Sequence, residues 1–143
     1  MQEINFDEKL EQILAKDSRY HRDAYLFVRD ALDLTKRQVY KEKERREGGE
    51  EKHVTGQELL EGIRQFALEQ FGPMTTMVFE EWGVKRCEDF GEIVFNMVEI
   101  ELLAKTKQDS RADFQKGYDF TDAFRKPFWP QGKLKTDTKS VVG

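Results

Sequence analysis

The sequence predicts an all-α fold, a single-domain bundle of about five helices, and three features of residues 55–104 lead to that prediction. Thr55 is followed three residues later by Glu58, the pattern of a capping box at a helix start. Gly72-Pro73 ends that helix and opens the next, because glycine suits the position after a helix and proline suits the first turn. Residues 88–104 are apolar around most of a helical circumference, which is typical of a central helix packed by its neighbours.

Apolar stripes predict the two N-terminal helices. The first runs from Phe6 to about Lys16 and the second from near Ser18 to at least Tyr40, each with one apolar face at helical spacing. Residues 41–47 favour a helix but contain no apolar side chain. We therefore expect them to form a helical arm that projects into water and frays before the glycines that follow.

Three more helices are predicted after this arm. Residues 56–71 carry a clear apolar stripe and form the third, and residues 73–82 form a short fourth that Gly83 ends. The fifth runs from about Glu88 to Ala104 and leaves only a narrow polar strip, so we expect the other helices to pack around it. The inward face of the fourth helix is predicted to contain Met74, Met77, Val78 and Trp82, and the sequence leaves open whether Met74, Met77 and Trp82 form an exposed groove instead of core.

An aromatic C-terminal cover completes the predicted fold. Pro127 and Pro130 come after it, and they disfavour a helix and favour an extended chain. The chain is accordingly divided into a helical domain, residues 1–124, and a basic, extended C-terminal tail, residues 125–143. The aromatic cover is defined by four side chains spaced to lie across an existing core, namely Phe114, Tyr118, Phe120 and Phe124.

Charge is distributed unevenly between these two parts. The chain contains 24 Lys and Arg and 28 Asp and Glu, for a net charge of −4. Five of these bases and one of the acids lie in residues 125–143, which therefore carry +4, while residues 1–124 carry −8. The net negative charge gives the chain as a whole no attraction to nucleic acid or to an anionic membrane, whereas a basic tail often makes contacts.

The cysteine content and the first residues indicate a cytoplasmic protein. Cys87 is the only cysteine, so no disulfide can form within the chain and a reducing compartment is expected. Residues 1–5 show neither the basic start nor the apolar run of a signal peptide. The longest apolar run is too short for a membrane-spanning helix, and we therefore expect a soluble protein.

A set of short strings is spread over residues 19–124. The strings are RY at 19–20, AYLFV at 24–28, HVTGQELLEGIR at 53–64, FGPM at 71–74, WGV at 82–84, DFGEIVFN at 89–96 and GYDF at 117–120. Together they resemble an uncharacterised bacterial protein family. The resemblance implies no activity, cofactor or catalytic residue for this chain, and Cys87 stands where it suggests a small hydroxyl residue.

No residue pattern predicts a catalytic or metal site. The two histidines, His21 and His53, have no ligand at metal-binding spacing, so we expect neither a metal nor a cofactor. Cys87 begins the fifth helix beside acidic neighbours that oppose a thiolate, and we interpret it as an inert small residue. Glu101 is a candidate buried acid on the apolar side of this helix, with Arg64 as its candidate partner. An enzyme is therefore not favoured.

Two functional hypotheses stay open, as does the oligomeric state. The first is a small non-enzymatic interaction or regulatory protein whose partner is another protein. The alternative is a nucleic-acid or ribonucleoprotein-associated factor that uses the basic tail and residues 36–46 to bind RNA or DNA. Phe128 and Trp129 either fold back on the domain or dock in a partner. The candidate interaction residues are Arg45, Arg46, Lys126, Phe128, Trp129 and Lys133.

Overall fold

The computed structural model describes residues 2–47, 54–100, 102–103, 111–115 and 117–130, with side chains in the first of these ranges from residue 6 to residue 42. The five α-helices are α1 (Gln2–Lys16), α2 (Arg22–Glu47), α3 (Gly56–Phe71), α4 (Thr75–Glu81) and α5 (Cys87–Glu99). No described residue lies in a β-strand. The predicted all-α bundle of about five helices is confirmed.

The segment between α1 and α2 is a structured turn, where the sequence analysis expected helix. Asp17 accepts hydrogen bonds from the backbone N–H of Arg19 at 3.1 Å and from its guanidinium at 2.9 Å. His21 Nδ1 accepts from the backbone N–H of Asp23 at 3.0 Å and so caps α2. These side-chain acceptors compete with the helical hydrogen bonds, which is why the predicted start near Ser18 is wrong and α2 begins later.

The ends of α3 are those that the sequence predicts. Thr55 Oγ1 accepts from the backbone N–H of Glu58 at 3.0 Å, and the Glu58 carboxylate accepts from the N–H of Thr55 at 2.9 Å. After Phe71 the chain turns at Gly72, whose φ of 53° is costly for a residue with a Cβ. A 3-10 turn, Gly72–Met74, then leads directly into α4.

α4 is rotated relative to the prediction. Thr75 and Phe79, four residues apart, are fully buried, whereas Met74 and Met77 expose 49% and 54% of their surface. The predicted inward placement of Met74 and Met77 is therefore wrong. Thr75 and Phe79 lie about one helical turn apart, and their burial leaves Met77 on the opposite face of α4.

α5 packs among the other elements, in contact with α1, α2, α3 and the 3-10 turn Arg111–Phe114. Glu99 is the only exposed residue of α5, as expected for a central helix. The helix ends at Glu99, whereas the prediction extended it to Ala104, and Ile100 is already non-helical. The backbone N–H of Leu102 donates to the carbonyl of Met97 at 2.8 Å, a wider turn that closes the helix.

The aromatic cover packs on the helices through ring contacts. Phe124 is fully buried, and its ring lies edge-on to that of Phe79 with 5.3 Å between the centroids. The hydroxyl of Tyr118 donates to the carbonyl of Leu60 at 2.7 Å. The chain then forms a π-helical turn, Thr121–Arg125, and a 3-10 turn, Lys126–Phe128. The predicted extended chain is therefore not found at the latter turn, because proline also fits the start of a helical turn, and residues 131–143 lie outside the described residues.

Candidate functional site

Three of the predicted interaction residues, Lys126, Phe128 and Trp129, lie together on the surface. Phe128 and Trp129 are 46% and 51% exposed, so neither is folded back into the core. Lys126 forms an ion pair with Asp122 at 2.7 Å, and its ammonium lies 5.9 Å from the centroid of the Trp129 ring. For Arg45 and Arg46 the structure describes the backbone but not the side chains. Lys133 and Glu101 lie outside the described residues.

Phe128 and Trp129 belong to one wall of an open groove of about 360 Å³. The opposite wall is formed by α4 and by the 3-10 turn that precedes it. We call this cavity the α4 groove. It joins two segments that are distant in the sequence, and its lining residues are Pro73, Thr76, Met77 and Glu80 on the α4 wall and Phe124, Arg125, Phe128 and Trp129 on the C-terminal wall.

Exposed apolar side chains are concentrated at the α4 groove. Among the large apolar side chains that the structure describes, the exposed ones are Met74, Met77, Phe128 and Trp129. Three of them line the groove, and Met74 lies about one turn before Met77. Methionine and aromatic side chains are enriched at the centres of protein interfaces, and contiguous exposed apolar patches are typical of binding sites.

Buried residues hold both sides of the α4 groove in place. Phe124, which forms part of its lining, is fully buried against Phe79. On the α4 side, Thr75 is also fully buried, and its hydroxyl donates to the carbonyl of Gly72 at 2.7 Å. The shape of the groove therefore comes from the packed core. A preformed site of this kind loses less conformational entropy when a partner binds.

Each wall of the groove carries one charged side chain. Glu80 lies on the α4 wall and Arg125 on the C-terminal wall, and both residues are exposed. Arg125 Nε donates a long hydrogen bond, 3.5 Å, to Thr76 Oγ1. Within the described ranges neither Glu80 nor Arg125 forms an ion pair.

Cys87 has the environment of a structural thiol. It is 3% exposed, and its Sγ donates to the carbonyl of Tyr118 at 3.4 Å. Burial raises the pKa of the Cys87 thiol to about 11, so the nucleophilic thiolate is scarce at neutral pH. The part of the chain that the structure describes also contains no group of three side chains that could hold a metal ion. Across the same residues, no helix has the length and apolar character needed to cross a membrane.

A second groove, of about 320 Å³, lies between α2 and α3, and within the described residues none of its large apolar side chains is exposed. Arg64 lies in its lining and forms an ion pair with Glu61 at 2.6 Å. The hydrogen bonds between them lower the pKa of Glu61 and raise that of Arg64. Arg64 thus already has an acidic partner on its own helix, whereas its predicted partner Glu101 is not described. We regard this groove as a less favourable binding site.

The α4 wall of the candidate site was not predicted as a binding surface from the sequence. Met77 was expected on the inward face of the fourth helix, with an exposed groove as the open alternative, and Glu80 was not among the candidate interaction residues. A signal was present, because Thr75, Phe79 and Trp82 recur at helical spacing and offer a face with two aromatic rings. If Thr75, Phe79 and Trp82 are taken as the buried face, Met74 and Met77 are predicted to be exposed. The contact of α4 with Phe128 and Trp129 could not be derived from spacing, since it is a tertiary contact.

Comparisons with models of protein families, with curated proteins and with solved structures give no match. The resemblance to a bacterial family therefore stays a prediction.

Proposed function

We propose that this chain is a small non-enzymatic interaction or regulatory protein that binds another protein through the α4 groove. The observation that carries the proposal is the convergence of Met77, Phe128 and Trp129, from two distant segments, on one exposed surface. Leaving three large apolar side chains in water has a cost that a partner would remove, at about 25 cal/mol per Å² of apolar area covered.

The composition of the groove also supports a protein partner. Interface centres are enriched in aromatic residues, methionine and arginine, and depleted in lysine and aspartate. The α4 groove contains the first three kinds in Phe128, Trp129, Met77 and Arg125. Its other charged side chain, Glu80, is of a kind that interface centres are depleted in.

A nucleic-acid or ribonucleoprotein partner is the second proposal. The observation that favours it is the position of the Lys126 ammonium near the Trp129 ring, because a cation beside an exposed aromatic ring suits a stacked base and its phosphate. The ion pair of Lys126 with Asp122 weighs against it, since the cation is already partly neutralised. The charges of residues 43–47 and 131–143 lie outside the described side chains.

Photo-crosslinking tests the first proposal. The photoreactive amino acid benzoylphenylalanine is placed at Met77, at Phe128 or, as a control, at Gln12, an exposed residue of α1. We expect protein crosslinks in cells from the two groove positions and at most a tenth of that yield from the control. The substitution Trp129→Ala should reduce the crosslinks from Met77 at least tenfold. Equal yields from all three positions would contradict a binding role of the groove.

The nucleic-acid alternative is tested by retention on single-stranded RNA at increasing salt. Phosphate contacts release counterions, so binding through the basic tail should weaken steeply as salt increases. The triple variant Lys133→Gln, Lys135→Gln, Lys139→Gln should then lose retention. If the unmodified chain is not retained at low salt, this alternative is rejected.

A further inference from the structure

The α4 groove is complementary to itself in both charge and apolar content. Its α4 wall carries Met77 with the acid Glu80, and its C-terminal wall carries Phe128 and Trp129 with the base Arg125. We propose that the partner seated in the groove is a second copy of this chain, with the two grooves facing each other across a two-fold axis. This inference rests on the proposed function, and it names the partner.

The charges give the first argument for a second copy. Glu80 and Arg125 line the same groove from opposite walls, and neither has an ion pair within the described residues. In a two-fold interface the same surface is used by both copies, so a contact between two different residues occurs twice. The Glu80 of each copy can then face the Arg125 of the other. Because the groove surface carries one acid and one base, both charges of each copy are paired when two copies meet.

The apolar side chains give the second argument. On the α4 wall Met77 is 54% exposed, and on the facing wall Phe128 and Trp129 are 46% and 51% exposed. A two-fold arrangement places the methionine of one copy against the aromatic rings of the other, a contact that methionine sulfur and methyl groups make favourably. Each copy thus supplies both halves of the apolar contact.

The exposed area indicates how strong such a dimer would be. Met77, Phe128 and Trp129 line the groove and are each about half exposed, and if each offers about half of the 150–250 Å² that a large side chain can bury, the three supply roughly 300 Å² per copy and roughly 600 Å² in a dimer. Stable interfaces bury about 1,200–2,000 Å² in total, and smaller ones are usually transient. We therefore expect a reversible dimer whose population depends on the protein concentration.

Charge reversal tests this inference by sedimentation between about 1 μM and 1 mM protein, a range that brackets weak association. The unmodified chain should shift from monomer to dimer over this range. Glu80→Arg alone and Arg125→Glu alone should each weaken dimerisation at least tenfold, because like charges then meet twice. The two single variants mixed in equal amounts, and the double variant Glu80→Arg/Arg125→Glu, should both recover it, because every acid again faces a base.

Matched controls separate this effect from a change in net charge or in folding. Glu81→Arg alters the neighbouring exposed residue of α4, which does not line the groove, and should leave dimerisation unchanged. Circular dichroism checks that each variant is folded.

A chain that stays monomeric throughout the range, or a mixture of the two single variants that does not recover dimerisation, overturns the inference. Photo-crosslinks from Met77 to a protein of different mass, or a mobility shift with single-stranded RNA, would also overturn it, and the former would leave the proposed protein-binding function intact.

Discussion

Asp17 is the residue that connects the end of α1 to the rest of the bundle. Its carboxylate accepts from the guanidinium of Arg19 at 2.6 Å and from the side-chain amide of Asn96, on α5, at 3.0 Å. The same amide donates to the hydroxyl of Tyr25, on α2, at 2.9 Å. The hydrogen bonds from Arg19 hold the pKa of Asp17 well below its usual range, because they favour the ionised form. Three helices thus depend on the charge of one carboxylate.

We expect Asp17→Asn to lower the free energy of unfolding at pH 7 by about 1–2 kcal/mol, because the variant retains the shape but loses charge-assisted hydrogen bonds. The pKa of Asp17 is lower in the folded chain than the ordinary value of 3.8, so its stabilising contribution is complete above that value and disappears as the pH falls through the folded pKa. Urea unfolding at pH 7 and at about pH 2 measures both effects, and the difference between variant and parent should shrink in acid.

Asp33→Asn is the control for this comparison, because Asp33 is an exposed residue of α2. It should change stability by less than about 0.5 kcal/mol at either pH. If Asp17→Asn were as harmless as this control, the ionised carboxylate would not connect the three helices in the way described here.

At the scale of the elements, α2 and α3 approach each other closely at Gly62. A Cβ on Gly62 would lie 1.9 Å from the Oγ1 of Thr35, far below any permitted contact. Thr35 is 3% exposed, and its hydroxyl donates to the carbonyl of Ala31 at 2.7 Å. Gly62 is therefore required because the two helices approach too closely for a Cβ at this position. Its backbone angles are not the reason, because they are helical and other residues adopt them readily.

Gly62→Ala should lower the free energy of unfolding by about 1–3 kcal/mol, because the new methyl group displaces Thr35 and separates the helices. Thr35→Ala removes the Oγ1 that the methyl group would strike. The double variant should therefore be less destabilised than the sum of the two single variants by at least about 0.5 kcal/mol. A double-mutant cycle from chemical denaturation measures this coupling, and additive effects would show that the close approach is not the cause.

The orientation of α4 is the other element-scale feature with a functional consequence. Phe79 points inward and Met77 outward, so the same rotation that completes the core also supplies one wall of the α4 groove. Burial of Thr75 and Phe79 fixes that rotation, because both lie on the face of α4 opposite Met77. The α4 wall of the candidate site is therefore a consequence of core packing.

For the whole molecule, Phe79 is the centre of the aromatic core. Its ring contacts those of Phe27 on α2 and Phe90 on α5, with centroid separations of 5.7 Å and 5.3 Å. It also meets Phe120 and Phe124 of the aromatic cover, at 5.7 Å and 5.3 Å. One side chain thus joins α2, α4, α5 and the cover, and it supports the groove through Phe124.

Phe79→Ala should lower the free energy of unfolding by about 3–5 kcal/mol, because it opens a cavity where four elements meet. Met74→Ala, at an exposed residue of the same region, should cost less than about 0.5 kcal/mol. Thermal unfolding followed by circular dichroism compares the two variants. Similar losses from both would mean that the assignment of Phe79 to the core and of Met74 to the surface is wrong.

Local signals predicted the ends of the helices well. The capping box at Thr55 and the glycine stop at Gly72 act within four residues, so their hydrogen bonds and backbone angles are encoded where they occur. Prediction failed at helix ends that periodicity alone does not locate. The second helix was predicted to begin near Ser18, whereas the hydrogen bonds from Arg19 to Asp17 hold a turn there, and the end of α5 was placed too late.

The amino-acid sequence by itself determined the all-α class and the apolar character of α5, and it named Phe128 and Trp129 as candidates for binding while leaving open whether they fold back on the domain. These properties depend on composition and on spacing along one chain segment. Only the tertiary structure decided that α4 turns its methionines outward and that Glu80 and Arg125 face one groove. The physical reason is that the packing of Phe79 against Phe124 fixes both walls of the groove. These two residues are too distant in the sequence for a local pattern to predict their contact.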